Sequence, residues 1–240
     1  MNTITKFALG TAVALVFAAP NISFASPEGD EQSREVSDFT KVKLMGSMDV
    51  DVVAGKKTSV KVIAPKDMLE KIITEVDGST LKVHYEKNMK WDRAWNNKDI
   101  RILVTVPSIE GAGIYGSGDI KVKGGKGKEL DLTVKGSGDI SMMKSDYKSV
   151  DISLMGSGDI NIDGKCGHAS VGIMGSGDIS AGKLKCSEVD VTVKGSGDVE
   201  VYASKSVVAS VSGSGDISVL GNPKEVDRTE RGSGDIHIRR

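Results

Sequence analysis

From Leu130 to Met142 the chain alternates without a break. Leu130, Leu132, Val134, Gly136, Gly138, Ile140 and Met142 fall on one face, and Asp131, Thr133, Lys135, Ser137, Asp139 and Ser141 on the other. Val150, Ile152, Leu154, Gly156, Gly158, Ile160 and Ile162 repeat the pattern, as do Val189, Val191, Val193, Gly195, Gly197 and Val199. A period of two predicts strands with one buried face. Nothing here has the 3.6-residue period of helical repeats.

The alternation is itself repeated. A Gly-Ser-Gly-Asp-Ile/Val motif recurs, first at Gly116-Ser117-Gly118-Asp119. Its aspartates, Asp119, Asp139, Asp159, Asp178, Asp198, Asp216 and Asp235, are spaced by 20, 20, 19, 20, 18 and 19 residues. That near-constant spacing predicts a solenoid in which each repeat is one rung stacked on the next. The motif's glycines fall at inward positions, where the chain must bend and a Cβ would meet the opposite wall. Ser and Asp point outward, with short oxygens able to bond N–H groups of the tight turn. These residues are therefore expected to form a structural turn ladder. A second corner of each rung is polar and variable, at 124–128, 144–148, 164–167, 183–187 and 203–206, so two main strands per rung, or three short ones, are expected. In the last rung the inward places hold Arg228 and Glu230, as suits a terminal rung that must face water.

The first half is less regular. Val42–Val53 and Val60–Ile63 alternate, with a degenerate motif copy at Gly46-Ser47-Met48-Asp49-Val50. Ile72–Val76 and Leu81–Tyr85, joined by Asp77-Gly78-Ser79, read as a hairpin. Ile100–Val106 is a strand ended by Pro107, and Pro65–Lys71 suits one helical turn. The interval from Asp49 to Asp119 is no clean multiple of the repeat, so this part is expected to cap or start the coil, with an inserted loop at 87–98. The expected fold is all-β: a single-domain β-helix or solenoid with ~20-residue rungs and an N-terminal β-rich cap. It spans 36–240, divided into an N-terminal β part (36–110) and the repeat rungs (111–240).

The N-terminal segment predicts export. Lys6 followed by the apolar run Phe7–Ala18 reads as a signal-peptide core, too short to span a membrane, and Ser23-Phe24-Ala25 places the expected cleavage after Ala25, with a site near Ala18 or Ala19 as the alternative. Residues 1–25 are then a signal peptide and 26–35 a disordered mature N-terminus, with no membrane-spanning segment after cleavage. Cleavage moves the formal net charge from −1 to −2, and there is no basic run, so nucleic acid is not an expected partner.

The serial motif, with the early strand Lys41-Val42-Lys43-Leu44-Met45-Gly46, Asp77-Gly78 before Leu81-Lys82-Val83, Val104-Thr105-Val106-Pro107 and Ile114-Tyr115 before the first full repeat, resembles the bacterial family called putative auto-transporter adhesin, head GIN domain. The resemblance runs from about Val36 to the C-terminus. It implies an exported all-β domain with no established catalytic activity. Because the sequence ends at Arg240 without a C-terminal barrel, a free periplasmic or secreted protein of the cell envelope or surface is expected. The reading is of a non-enzymatic, adhesin-like interaction protein, with a glycan or an envelope or surface protein as partner; the alternative is a polysaccharide-active or calcium-binding envelope β-helix.

Calcium-binding nonapeptides also join glycine turns to aspartate, but at a nine-residue period. The aspartates here are many and equivalent, which suits repetition better than an acid/base pair held in contrasting environments. His84, His168 and His237 show no ligand spacing. No cofactor, catalytic residue or metal site is expected. Trp91 and Trp95, in a polar loop, are candidate binding aromatics able to stack on sugar or protein; the competing reading folds them over the open end of the coil. Cys166 and Cys186 lie 20 residues apart, one rung, and follow their repeat aspartates by seven and eight residues. Stacked rungs place equivalent Cα atoms ~4.8 Å apart, within disulfide range, so a disulfide between adjacent corners is expected in an oxidising compartment. Free thiols or a redox pair are the alternatives.

Overall fold

The alternating runs become strands that stack in parallel, in register, along one axis. The computed structural model describes residues 29–89 and 100–239. In chain order it holds β1 (Asp30–Arg34), β2 (Lys41–Gly46), β3 (Asp49–Ala54), β4 (Ser59–Ala64), a single helical turn α1 (Lys66–Leu69), β5 (Ile72–Asp77), β6 (Thr80–Tyr85) and β7 (Arg101–Val106). The repeat region follows as β8 (Gly111–Gly116), β9 (Ile120–Gly136), β10 (Ile140–Gly156), β11 (Ile160–Gly175), β12 (Ile179–Gly195) and β13 (Val199–Gly213). It closes with β14 (Ile217–Leu220), β15 (Glu225–Gly232) and β16 (Ile236–Arg239).

The solenoid makes about six turns. Ile120, Ile140, Ile160, Ile179, Val199, Ile217 and Ile236 stack rung on rung. All are at most 3% exposed. Val134, Leu154, Ile173, Val193 and Val211 form a second buried column. Burying such a side chain contributes about 1.5–3 kcal/mol, and the columns supply it once per rung.

Where two main strands per rung were expected, each repeat from β9 to β13 is one continuous strand of 15–17 residues. It runs from one Gly-Ser-Gly-Asp corner to the next and turns the second corner without losing its ladder. The turn is absorbed by register shifts, between Met142 and Ser145, between Asn161 and Asp163, and around Cys186. Bulges of this kind bend a strand while keeping its neighbours paired.

The N-terminal part is laid down out of order. β2 and β3 form a rung first, and β8 and β9 stack on one side of it. On its other side lie β6 and β7, which come later in the chain than β3. Beyond these, β4 pairs antiparallel with β7, and β5 antiparallel with β6 as the expected hairpin. The chain therefore builds one rung, loops outward to make the cap through β4, α1 and β5, returns as β6 and β7, and crosses back to continue the coil. α1 buries Met68 and Leu69.

The expected disordered segment 26–35 contains β1, which pairs antiparallel with β4. Its sequence, Asp-Glu-Gln-Ser-Arg, has no apolar period, so it carried no strand signal. Its order comes from the ladder with β4 and from Arg34, whose guanidinium donates to the carbonyls of Leu69 and Ile72.

At the far end, β15 pairs β13 and β16 pairs β14. β15 is exposed throughout. Arg228 Nη1 donates to the Ile236 carbonyl at 3.5 Å, and Glu230 Oε1 accepts from the Ile236 N–H at 3.2 Å. Charged side chains thus stand where apolar ones would invite another rung.

Candidate functional site

Both glycines of the corner are required, for reasons that lie along the axis. Gly136 has φ +143°, a conformation side-chain-bearing residues avoid. A Cβ on Gly138 would overlap the carbonyl oxygen of Gly118 in the rung below, and each later repeat shows the same clash. The obstacle is therefore the neighbouring rung's backbone and not, as the alternation alone suggested, the opposite wall. At the start of the stack Met48 replaces the second glycine, and its side chain is buried.

The carboxylates also act between rungs. The backbone N–H of Asp139 donates to Asp119 Oδ1 at 3.0 Å, that of Asp159 to Asp139 Oδ1 at 2.8 Å, and that of Asp178 to Asp159 Oδ1 at 3.0 Å. Asp198, Asp216 and Asp235 continue the series at 2.8 Å each. Each bond joins adjacent rungs; the expectation had been N–H groups of the residue's own turn. In the other direction the Ile120 N–H donates to the Asp139 carbonyl at 2.9 Å, and its equivalents repeat this up the coil. The N–H groups of Ser117 and Gly118 donate to the Gly46 carbonyl at 3.0 and 3.1 Å. Stacking like charges ~4.8 Å apart costs about 0.9 kcal/mol per pair in water, and a charge-assisted hydrogen bond of about 1.5–3 kcal/mol exceeds that.

Asp49 belongs to the same ladder: it accepts from the Asp119 N–H at 3.3 Å, across 70 residues of chain. The degenerate motif held the signal, but the excursion through the cap broke the period.

The second corner is held by individual devices. Cys166 and Cys186 form the expected disulfide, with Cα atoms 4.5 Å apart. Tyr147 is buried beside Gly127 of the preceding rung, and its hydroxyl donates to the Ile109 carbonyl at 2.6 Å. Burial pushes its phenol pKa well up, with a smaller contribution from Glu110. Ser145 Oγ donates to the Asp163 carbonyl at 2.6 Å. Lys185 Nζ lies 3.8 Å from the ring centroid of Tyr202.

Asp51, which the sequence reading did not single out, is buried on β3. Burial raises its pKa, against opposing pulls from Arg101 and Lys121. Arg101 Nη1 stands 3.7 Å from Oδ2, too long for a hydrogen bond, and that oxygen is unsatisfied. His84 faces Glu75 at 3.5 Å and His168 faces Asp190 at 3.7 Å. Among the described residues no group of three or more His, Cys, Asp or Glu is placed to hold a metal ion. Trp91 and Trp95 lie outside the described residues.

The surface carries shallow depressions. One, of about 340 Å³, lies between Ser141, Asn161, Ser180 and Glu200. A second, of about 320 Å³, follows Asp178, Asp198 and Asp216 to His237 and Arg239. A third, of about 130 Å³, is lined by Lys41, Lys43, Gly113, Tyr115 and Asp131.

Several solved structures share this fold. A putative adhesin of Bacteroides fragilis is 26% identical and superposes with a TM-score of 0.82 over 88% of this chain and 97% of that one. A putative lipid binding protein of Parabacteroides distasonis is 22% identical, with a TM-score of 0.71 over 88% and 96% of the two chains. A putative adhesin of Parabacteroides merdae, 18% identical, gives 0.66 over 88% and 96%. The last two show the fold alone. A comparison with curated proteins finds no match. The model of the family described as putative auto-transporter adhesin, head GIN domain, matches residues 38–223, and with its stacked corners and coil in register the chain belongs to that family.

Proposed function

We propose that this chain is an exported, non-enzymatic interaction protein that presents a rigid, adhesin-like surface at the cell envelope, in the periplasm or outside the cell, after removal of residues 1–25. The observation that carries this is membership of the adhesin family across 38–223. The geometry agrees with it. The corner aspartates are equivalent and hydrogen-bonded in series, whereas acid/base catalysis needs carboxylates in contrasting environments. A long coil with one corner repeated rung after rung suits display of a surface better than assembly of a cleft. The corner residues from Gly116 to Asp235 are read as structural in this proposal, and Trp91 and Trp95 as candidate contact aromatics.

The test is a binding screen of the mature chain against glycans and isolated envelope fractions, alongside adherence of cells lacking the protein. Saturable capture with unchanged products supports the reading. Cleavage of any offered polysaccharide would replace it with an enzymatic one. Trp91→Ala and Trp95→Ala in the same screen report whether that loop makes the contact.

A further inference from the structure

The outward face of β8 differs from the rungs on either side of it. At the register positions where β9 carries Asp131 and Thr133 and β2 carries Lys41 and Lys43, β8 carries Gly111 and Gly113. The corner glycines are forced by positive φ or by the rung below. Gly113 is forced by neither: its φ is not positive, and a Cβ there would meet only Tyr115 Cε2 at 3.5 Å and the Thr133 carbonyl at 3.8 Å. An unforced glycine inside a strand leaves the backbone open to close approach; Gly172, in the same column, is equally open, but only Gly113 has an aromatic ring beside it.

What surrounds it is chemically specific. The edge of the Tyr115 ring leans back over Gly113, yet Tyr115 is 37% exposed. Lys43 Nζ sits 4.0 Å from the ring centroid, reaching from the rung on one side, and Lys135 Nζ 5.5 Å away from the rung on the other. The opposite wall of the slot offers Thr133, whose hydroxyl donates to Asp131 Oδ1 at 3.0 Å. The cavity of about 130 Å³ has the volume of about four waters, enough for a charged substituent and part of a ring.

We infer that this slot binds an acidic sugar residue of a polysaccharide, one bearing a carboxylate or sulfate. The sugar's apolar edge packs against the exposed edge of Tyr115, its anionic group pairs with Lys43 and Lys41, and its hydroxyls meet Asp131 and Thr133. Aromatic rings supply apolar area with a polar tip, and the ammonium groups select charge. Further along this face the position of Tyr115 is held by Lys135, Met155, Met174 and Lys194, none of them aromatic, so one acidic residue is read at one end of the coil. This inference rests on the surface-interaction reading and gives it a ligand class and a site.

Isothermal titration of the full mature chain with a heparin tetrasaccharide and an oligogalacturonate, each against neutral chitotetraose, tests it. Binding of at least one charged probe, absent for the neutral one and weakened at ~0.5 M salt, is expected. Tyr115→Ala and Lys43→Gln should each weaken it about tenfold or more, with unchanged thermal midpoints, while Lys194→Gln at the far end of the same column should leave it unchanged. Equal binding of neutral and charged probes, indifference to the Tyr115 and Lys43 changes, or no binding of either charged probe would each overturn the inference. If envelope capture by the whole chain survives Tyr115→Ala, this site is refuted while the surface role stands; if capture itself is absent, the broader reading fails with it.

Discussion

The two corners of each rung solve one bending problem in opposite ways. At the Gly-Ser-Gly-Asp corner every rung uses the same parts, and the parts act on the adjacent rung. The glycines let backbones approach, the carboxylate accepts the next rung's N–H, and the aspartate carbonyl accepts from the rung before. At the second corner the devices differ along the coil: a buried tyrosine and a serine hydroxyl in one rung, a disulfide between the next two, and a lysine over a ring beyond them. A corner whose contacts are all between equivalent positions can be copied, because each copy creates the partner the next one needs. A corner held by unlike pairs cannot be copied, and its sequence drifts. Repetition in this chain is therefore a consequence of contacts along the axis.

The largest expected effect breaks the copied corner. Gly138→Val drives a side chain into the Gly118 carbonyl and should cost ~3 kcal/mol or more through overpacking and strain. The nearby outward change Lys135→Val should be close to neutral. Equal melting midpoints for the two would refute the axial account of the glycines.

Next comes the staple of the second corner. Replacing Cys166 and Cys186 together with Ser opens a loop of 20 residues and should lower stability by about 3 kcal/mol in the chain-entropy model, read by denaturant unfolding. Two free thiols in the unreduced, denatured protein would contradict the bond directly.

A matched pair then compares the corners bond for bond. Tyr147→Phe leaves the buried Ile109 carbonyl unpaired and should cost about 1–2 kcal/mol. Asp159→Ala frees the Asp178 N–H, which sits closer to water, and should cost about 1 kcal/mol, with Asp159→Asn recovering most of it because the amide oxygen still accepts. A chelator should leave the melting midpoint of the unaltered protein in place. A large drop would mean that the aspartates hold calcium.

The smallest effect lies outside both corners. Burial raises the pKa of Asp51, so the fold favours its protonated form more than the unfolded chain does. The stability it contributes is complete below the unfolded carboxyl pKa of about 3.9 and is lost as pH rises through the folded value. Asp51→Asn should therefore stabilise the protein slightly at pH 7, and the gain should vanish as the pH falls through that window. A gain that persists at acid pH would point to packing instead of charge.

Much of this was legible in one dimension. The period of two set the buried columns, the near-constant aspartate spacing set the rung, and the one-rung separation of Cys166 and Cys186 set their bond. Each is a local rule that stacking repeats faithfully. The aspartates were legible as outward turn residues, but their partners were not, because whether an N–H lies within the turn or one rung away depends on how close the rungs approach. Tyr115 and Gly113 gave no signal, since an isolated strand does not show which lysines flank it.

What the sequence by itself determined is therefore whatever follows from residue order within a rung: the strands, their inward faces, the corner and the repeat. What only the tertiary structure decided is order between rungs. Asp49 and Asp119 are neighbours although 70 residues separate them, and β6 and β7 cap a rung that precedes them in the chain. A polar strand such as β1 gains its place from a partner's backbone. Backbone hydrogen bonds, which every residue but proline can donate and every residue can accept, also join segments that carry no repeat, so outside the repeat side-chain order does not specify which segment lies next to which.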